Sequence, residues 1–272
     1  MPRLSELSAS LLLAGGLALS GATAAQAQGM GGTAQNYVGV GAALTPDYAG
    51  SDETEIIPFA AIHWRLGDVL VETREPGVQV TFNPDDRLQY SAFARWRPGR
   101  ETDDIEDPVV SLLSEVDGSV VAGFGLDYRL AQGVLTPRDR VTIGGRLGAD
   151  ALGEFSGVVW SANIGYGAAL SERLFANVSL GVSGFPDEYA ENLFSIDAAD
   201  AAASGLTVFD AEDGVRDIGL TFVADYRFSE NWSVTVVTSY SRLLGDFADS
   251  PITADRGDEN QGFVGLAVGR RF

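Results

Sequence analysis

GFVGLAVGRRF, residues 262–272, alternates two kinds of side chain. In an extended strand successive side chains point to opposite sides. Phe272, Arg270, Val268, Leu266 and Val264 therefore share one face, and Arg271, Gly269, Ala267, Gly265 and Phe263 the other. The first face is mostly large and apolar, the second mostly small. That division suits a strand of a transmembrane barrel, whose outer side meets lipid while its inner side meets a polar lumen. Val264, Leu266, Val268 and the aromatic Phe272 form a candidate barrel-assembly signal. Arg270 breaks the apolar face, but near the interface a charge is tolerated far better than at the midplane.

The same two-residue period recurs upstream. Segments 37–44, 55–66, 69–74, 77–82, 88–97, 120–131, 139–150, 157–170, 174–183, 215–228 and 232–244 read as strands, making twelve with the last. If the short 69–82 hairpin is only a partial element, the number is ten. Connections between them alternate in length. Residues 67–68, 83–87, 132–138, 171–173 and 229–231 are short, whereas most of the opposite connections, 45–54, 98–119, 184–214 and 245–261, are long, with 75–76 and 151–156 as short exceptions. Short periplasmic turns opposite long external loops are the habit of outer-membrane barrels. Aromatic residues fall at both strand ends: Trp64, Tyr128, Tyr226, Phe228, Trp232 and Phe272 on the turn side, and Trp96, Trp160 and Tyr240 on the loop side. Such girdles favour a membrane over a soluble sandwich. The expected fold is all-β, a closed antiparallel transmembrane barrel.

Residues 1–27 have the layout of a cleavable secretory signal: Arg3, then the apolar run 11–19, then Ala25-Gln26-Ala27. The run is too short to span a bilayer, and no later stretch approaches the roughly 20 apolar residues that a helical span needs. Cysteine is absent, so disulfides contribute nothing in an oxidising compartment. Mean hydropathy is +0.06, as expected when half of each strand faces lipid and half faces water. With no linker-like break, residues 28–272 read as one barrel domain in the cell outer membrane, in contact with its lipid and lipopolysaccharide.

Charge is distributed unevenly. The four long connections hold 23 of the 38 Asp and Glu residues and only Arg100 and Arg256 as bases, which accounts for the whole net charge of −20. This disfavours nucleic acid as a partner and favours cations. Calcium or magnesium could bridge Asp103, Asp104, Glu106 and Asp107 to lipopolysaccharide phosphates, although the spacing matches no defined calcium loop and a solvated acidic surface is the simpler reading. Inward-facing positions carry His63, Arg65, Arg95, Arg97, Asp127, Arg129, Arg146, Asp150, Asp225, Arg227 and Arg271. Either these arginines line a narrow pore for anions or polar solutes, or Arg and Asp pair across the lumen and close it. Closure is favoured, since one ring of paired charge suffices. Catalysis has little support: His63 is the only histidine, there is no nucleophile elbow, and no Cys or His metal set or cofactor motif is present.

The stretch 46–51 (PDYAGS) followed by Pro58, the turn Pro98-Gly99-Arg100, the segment around Tyr189, Phe194 and 201–206 (AAASGL), and SRLLGD at 241–246 with DSPI at 249–252 together resemble the MipA/OmpV family. The resemblance covers nearly all of the chain after the signal. It implies a non-enzymatic outer-membrane barrel with a scaffolding role beside a murein-hydrolysing lytic transglycosylase. A narrow channel is the alternative function.

Overall fold

Twelve antiparallel strands close into one barrel in the computed structural model, which describes residues 36–272 apart from 75, 103 and 104. They are β1 (Tyr37–Pro46), β2 (Thr54–Leu66), β3 (Val69–Thr73), β4 (Gly77–Phe82), β5 (Leu88–Arg97), β6 (Ser119–Gln132), β7 (Arg140–Asp150), β8 (Val159–Ala169), β9 (Leu174–Phe185), β10 (Gly214–Arg227), β11 (Trp232–Leu243) and β12 (Asn260–Arg271). Each pairs with its neighbours in sequence, and β12 closes on β1, with Val40 opposite Val268. The expected signal at 1–27 lies outside the described residues.

The alternation seen in sequence becomes two surfaces. Val40, Ile56 and Phe124 are 72%, 72% and 77% exposed, and Val264, Leu266, Val268 and Phe272 share that outer face. So large an apolar belt is stable only against lipid. No helix among the described residues is long and apolar enough to cross a membrane; the strands cross instead. Closure suits this setting, because unpaired backbone groups in hydrocarbon cost several kcal/mol each.

One part of the wall is incomplete. β3 has 5 residues and β4 has 6, against 10 to 14 in the other strands. Both are paired on each side, so the barrel has twelve strands and not ten. Yet a spanning strand needs about 9–11 residues, and these two reach only part of the way. Their connections to β2 and β5, 67–68 and 83–87, are on the side of the other short turns, so the shortfall falls on the loop side. There β3 pairs with β2 only at His63 to Leu66, leaving the upper part of β2 without a neighbour on that flank. The wall therefore has a notch beside the upper part of β2, which β5 borders only at its end, since β4 pairs with β5 as far as Arg95.

The long connections are not open loops. Between β9 and β10 run α1 (Asp187–Phe194) and α2 (Ala198–Ser204); between β11 and β12 run α3 (Asp246–Asp249) and α4 (Pro251–Ala254). α1 begins after Pro186, carries Asp187 and Glu188 in its first turn, and buries Tyr189, Ala190, Leu193 and Phe194 on one face. In α2 the Asp197 side chain caps the N–H groups of Ala199 and Asp200, and Gly205 takes the left-handed conformation that ends the helix.

Candidate functional site

The lumen has three layers. Nearest the loops it is apolar: inward residues Val121, Val159, Phe185 and Leu243 meet Tyr189, Leu193 and Phe194 of α1 and Phe247 of α3. Aromatic rings lock the helices in place. Phe194 and Phe247 pack edge to face with centroids 5.1 Å apart, and Tyr189 lies 5.0 Å from Phe155 and 5.4 Å from Phe185. Polar bonds tie the caps together. Ser250 Oγ donates to the Phe194 carbonyl (2.6 Å), Ser114 donates through N and Oγ to Asp200, and Arg256 pairs with Asp107 at 2.5 Å. Burial opposes ionisation of Asp107, but the Arg256 bond and the N–H groups of Val110 and Val109 outweigh it and hold the carboxyl below its ordinary pKa. That carboxylate is thus committed to an internal ion pair. Asp103 and Asp104 lie outside the described residues, and among those described no group of three or more Asp, Glu or His is placed to hold a metal.

Below the apolar layer comes a polar belt. Arg146 of β7 is its hub: Nη2 donates to Asp127 of β6 (3.2 Å), Nη1 to Asn163 of β8 (3.4 Å), and Nε to Gln79 of β4 (3.3 Å), three strands away across the interior. Gln79 in turn donates to Glu72 and Thr81, and Glu72 holds Arg74 at 2.8 Å with His63 at 3.7 Å. On the opposite wall Arg271 pairs with Asp225, which also accepts from Thr235 at 2.9 Å. Arg216 and Asp217 bond at 2.5 Å, both turned inward by a bulge at this point of β10. Of the sequence candidates, His63, Asp127, Arg146, Asp225 and Arg271 belong to this belt. Arg97 sits higher, its guanidinium 4.0 Å over the Phe155 ring, and Arg95 lies 5.6 Å over Phe93. Asp150 accepts the N–H groups of Leu152, Glu154 and Phe155 and shapes a loop turn.

At the turn mouth the remaining candidates brace the short turns. Arg65 pairs with Asp85 at 2.5 Å and holds its carboxyl below the ordinary pKa. Arg129 donates to the carbonyls of Asp85 and Asp86, and Arg227 to that of Glu172. Phe272 packs near Trp64, with centroids 6.0 Å apart.

Glu72, Arg74 and Gln79 escaped the sequence reading because they ride on the hairpin whose span was in doubt. Arg216 escaped it because a bulge reverses parity. Strict alternation carries no sign of either. The plug helices, by contrast, did leave a signal: buried positions i, i+1, i+4 and i+5 after Pro186.

A family profile described as MltA-interacting protein MipA matches residues 38–272. No functionally curated protein matches the sequence. Similar solved structures include an outer membrane channel from Pseudomonas putida F1, 10% identical over 92% of this chain and 97% of that one, with a TM-score of 0.46. The CymD monoaromatic hydrocarbon channel is 12% identical over 89% and 90%, with a TM-score of 0.40. The NanC porin is 8% identical over 88% and 100%, at 0.41. Identities this low speak to barrel architecture alone.

Proposed function

The chain belongs to the MltA-interacting protein MipA family, and on that premise we propose that it is a closed, non-enzymatic outer-membrane barrel that acts by holding a partner protein. The partner class is the murein-hydrolysing lytic transglycosylase to which the family description refers. One observation carries the reading: the inward polar side chains are sealed off. Gln79, Thr81, Ser179 and Thr221 are each no more than 2% exposed, whereas the walls of a water-filled pore would be wet. The plug helices close the loop mouth above them. With the loops facing outward beside lipopolysaccharide, the turn mouth faces the periplasm, where murein lies.

A binding role puts the contact on that turn mouth, rich in arginine at Arg65, Arg87, Arg129, Arg138, Arg173 and Arg227. Photo-crosslinkers placed at residues 68, 86 and 135 should trap a murein hydrolase in cell envelopes, while crosslinkers at 112 and 208 should not. Recovery of no murein enzyme from any turn position would remove the scaffold reading.

A second reading draws on a different feature. Ser91 Oγ, Asn163 Nδ2, Asn177 Oδ1 and Ser179 Oγ are buried in the belt without hydrogen-bond partners. Groups of this kind are met by water in most interiors, so they support a thin hydrated path that could pass small polar solutes if the plug moved.

A further inference from the structure

The notch in the wall and a cluster of three buried arginines lie side by side. Arg97 ends β5 two residues past Arg95, which pairs with Gly77 at the top of β4, so Arg97 stands on the flank of the notch and faces inward. A cavity of about 20 Å³ lies there, lined from both flanks. Tyr48 comes from the connection that leads into β2, Arg97 and Arg100 come from the end of β5 and beyond, and Phe185, Leu193 and Arg216 form the back.

Arg97, Arg100 and Arg216 are 5%, 5% and 3% exposed. Arg216 is in direct ion contact with Asp217, whereas Arg97 and Arg100 have Asp150 and Asp200 near them without a direct ion pair. Arg100 donates to the carbonyls of Ser114 and Leu193, and Arg97 to Ser119 Oγ and the Pro98 carbonyl. Neutral acceptors and aromatic faces offset part of the cost of burying a cation, but an isolated buried charge remains expensive. Nη2 of Arg97 makes no hydrogen bond, although the guanidinium lies over the Phe155 and Tyr189 rings and feels the Asp150 carboxylate. Burial also holds Arg100 below its ordinary pKa, with Asp200 and Tyr48 acting in the opposite sense. Guanidinium groups only donate, so a ligand of this cluster would be an acceptor and an anion.

The notch says which kind of anion. Above the β3–β4 hairpin two strands are missing from the wall, leaving about 14 Å between the upper part of β2 and the end of β5 at the usual strand spacing of about 4.8 Å. A gap of this width in a lipid-facing wall is wide enough to admit an acyl chain. Its β2 edge carries Pro58, which has no N–H and sits badly in a ladder, so an added strand is a poor occupant. The lumen layer beside it is apolar, with Phe93, Val121 and Phe155.

We infer that the notch is a lateral entry for an anionic amphiphile, a long-chain carboxylate or phosphate lipid, whose head binds Arg97 and Arg100 while its chain lies in the opening. Loop contacts from the surrounding acids do not abolish such a site, because exposed charges are screened within about 8 Å at physiological salt and the buried guanidiniums are not.

The test is equilibrium binding of hexadecanoate to the refolded full barrel in neutral detergent, with hexadecanol, acetate and chloride as the other probes. Saturable binding of hexadecanoate, about tenfold or more weaker for hexadecanol, and no displacement by acetate or chloride is the expected result, the tenfold corresponding to one lost charge-assisted bond. Arg97→Gln should lose the preference for the acid over the alcohol. Ala61→Trp, which adds bulk on the inner face of β2 behind the notch and leaves the arginines in place, should lose binding of both chains. Equal affinity for acid and alcohol would overturn the head-group assignment. Displacement by chloride or acetate would make this a free-anion site and overturn the lipid source, and unchanged binding in Ala61→Trp would overturn the entry route.

Discussion

Replacing Arg146 by Met tests whether the polar belt holds the barrel shut. Met keeps most of the aliphatic stem but deletes the guanidinium, and with it the bonds to Asp127, Asn163 and Gln79 on three other strands. Asp127 is 5% exposed and its Oδ1 already lacks a partner, so the loss leaves a buried carboxylate with little support. Breaking a buried pair from one side costs about 3–5 kcal/mol, and water entering the vacated space brings the expected value to about 3 kcal/mol. Removing both charges costs less than the sum of the singles, because no lone ion remains; the coupling in an Arg146→Met, Asp127→Asn cycle should be about 1–3 kcal/mol. Reversible urea unfolding in lipid vesicles measures all four species. A single-variant loss below about 1 kcal/mol, or strict additivity, would show that the lumen is wet enough to solvate Asp127 without Arg146.

Other consequences are equally accessible. Phe247→Ala removes a ring packed on Phe185 and Phe194 and should destabilise the plug by about 3–5 kcal/mol, so a Glu-specific protease should cut within 186–213 about a hundredfold faster or more while the barrel stays intact; an unchanged rate would contradict the plug. Asp139 is pushed up by burial, but the N–H groups of Thr136, Leu135 and Val134 and the Tyr166 hydroxyl outweigh this and bring it to about 2. With an unfolded value near 3.9, its contribution is complete above about pH 4 and is lost as pH falls toward 2. Asp139→Asn should therefore be less stable than the parent at pH 7, with the gap closing by about pH 2 in unfolding midpoints; a constant gap would show that ionisation is irrelevant. Phe272→Ser should lower the fraction of chain reaching the heat-modifiable folded form several-fold, and an equal fraction would remove Phe272 from the assembly signal.

Strands were legible because each one must satisfy two solvents at once. In 157–170, Trp160, Ile164 and Tyr166 could only face outward if Ser161, Asn163 and Gly165 faced inward, and β8 follows that parity from Val159. The ends were less legible. Gly157 takes a positive φ and belongs to a turn, while β9 runs on to Phe185 because that residue pairs with Gly214. Parity also orients Arg146 and Asp127, but it says nothing of Arg146 reaching past β5 and β6 to Gln79, which depends on rotamers and barrel diameter. Hairpin length hid Glu72 and Gln79, and the notch could be read only once the register of β3 against β2 was known. The plug was hidden by its setting: Asp- and Glu-rich segments read as solvated loops, although Tyr189, Leu193 and Phe194 at helical spacing turn one face of α1 inward.

The closed lumen is tested most directly by single-channel recording of the refolded protein in a planar bilayer, with insertion verified by protease protection. Inserted barrels should pass no discrete current steps at neutral pH, and Arg146→Met should raise the baseline leak at most slightly while the plug is intact. Reproducible, ion-selective steps from the unmodified protein would contradict the closed barrel and place transport ahead of partner binding.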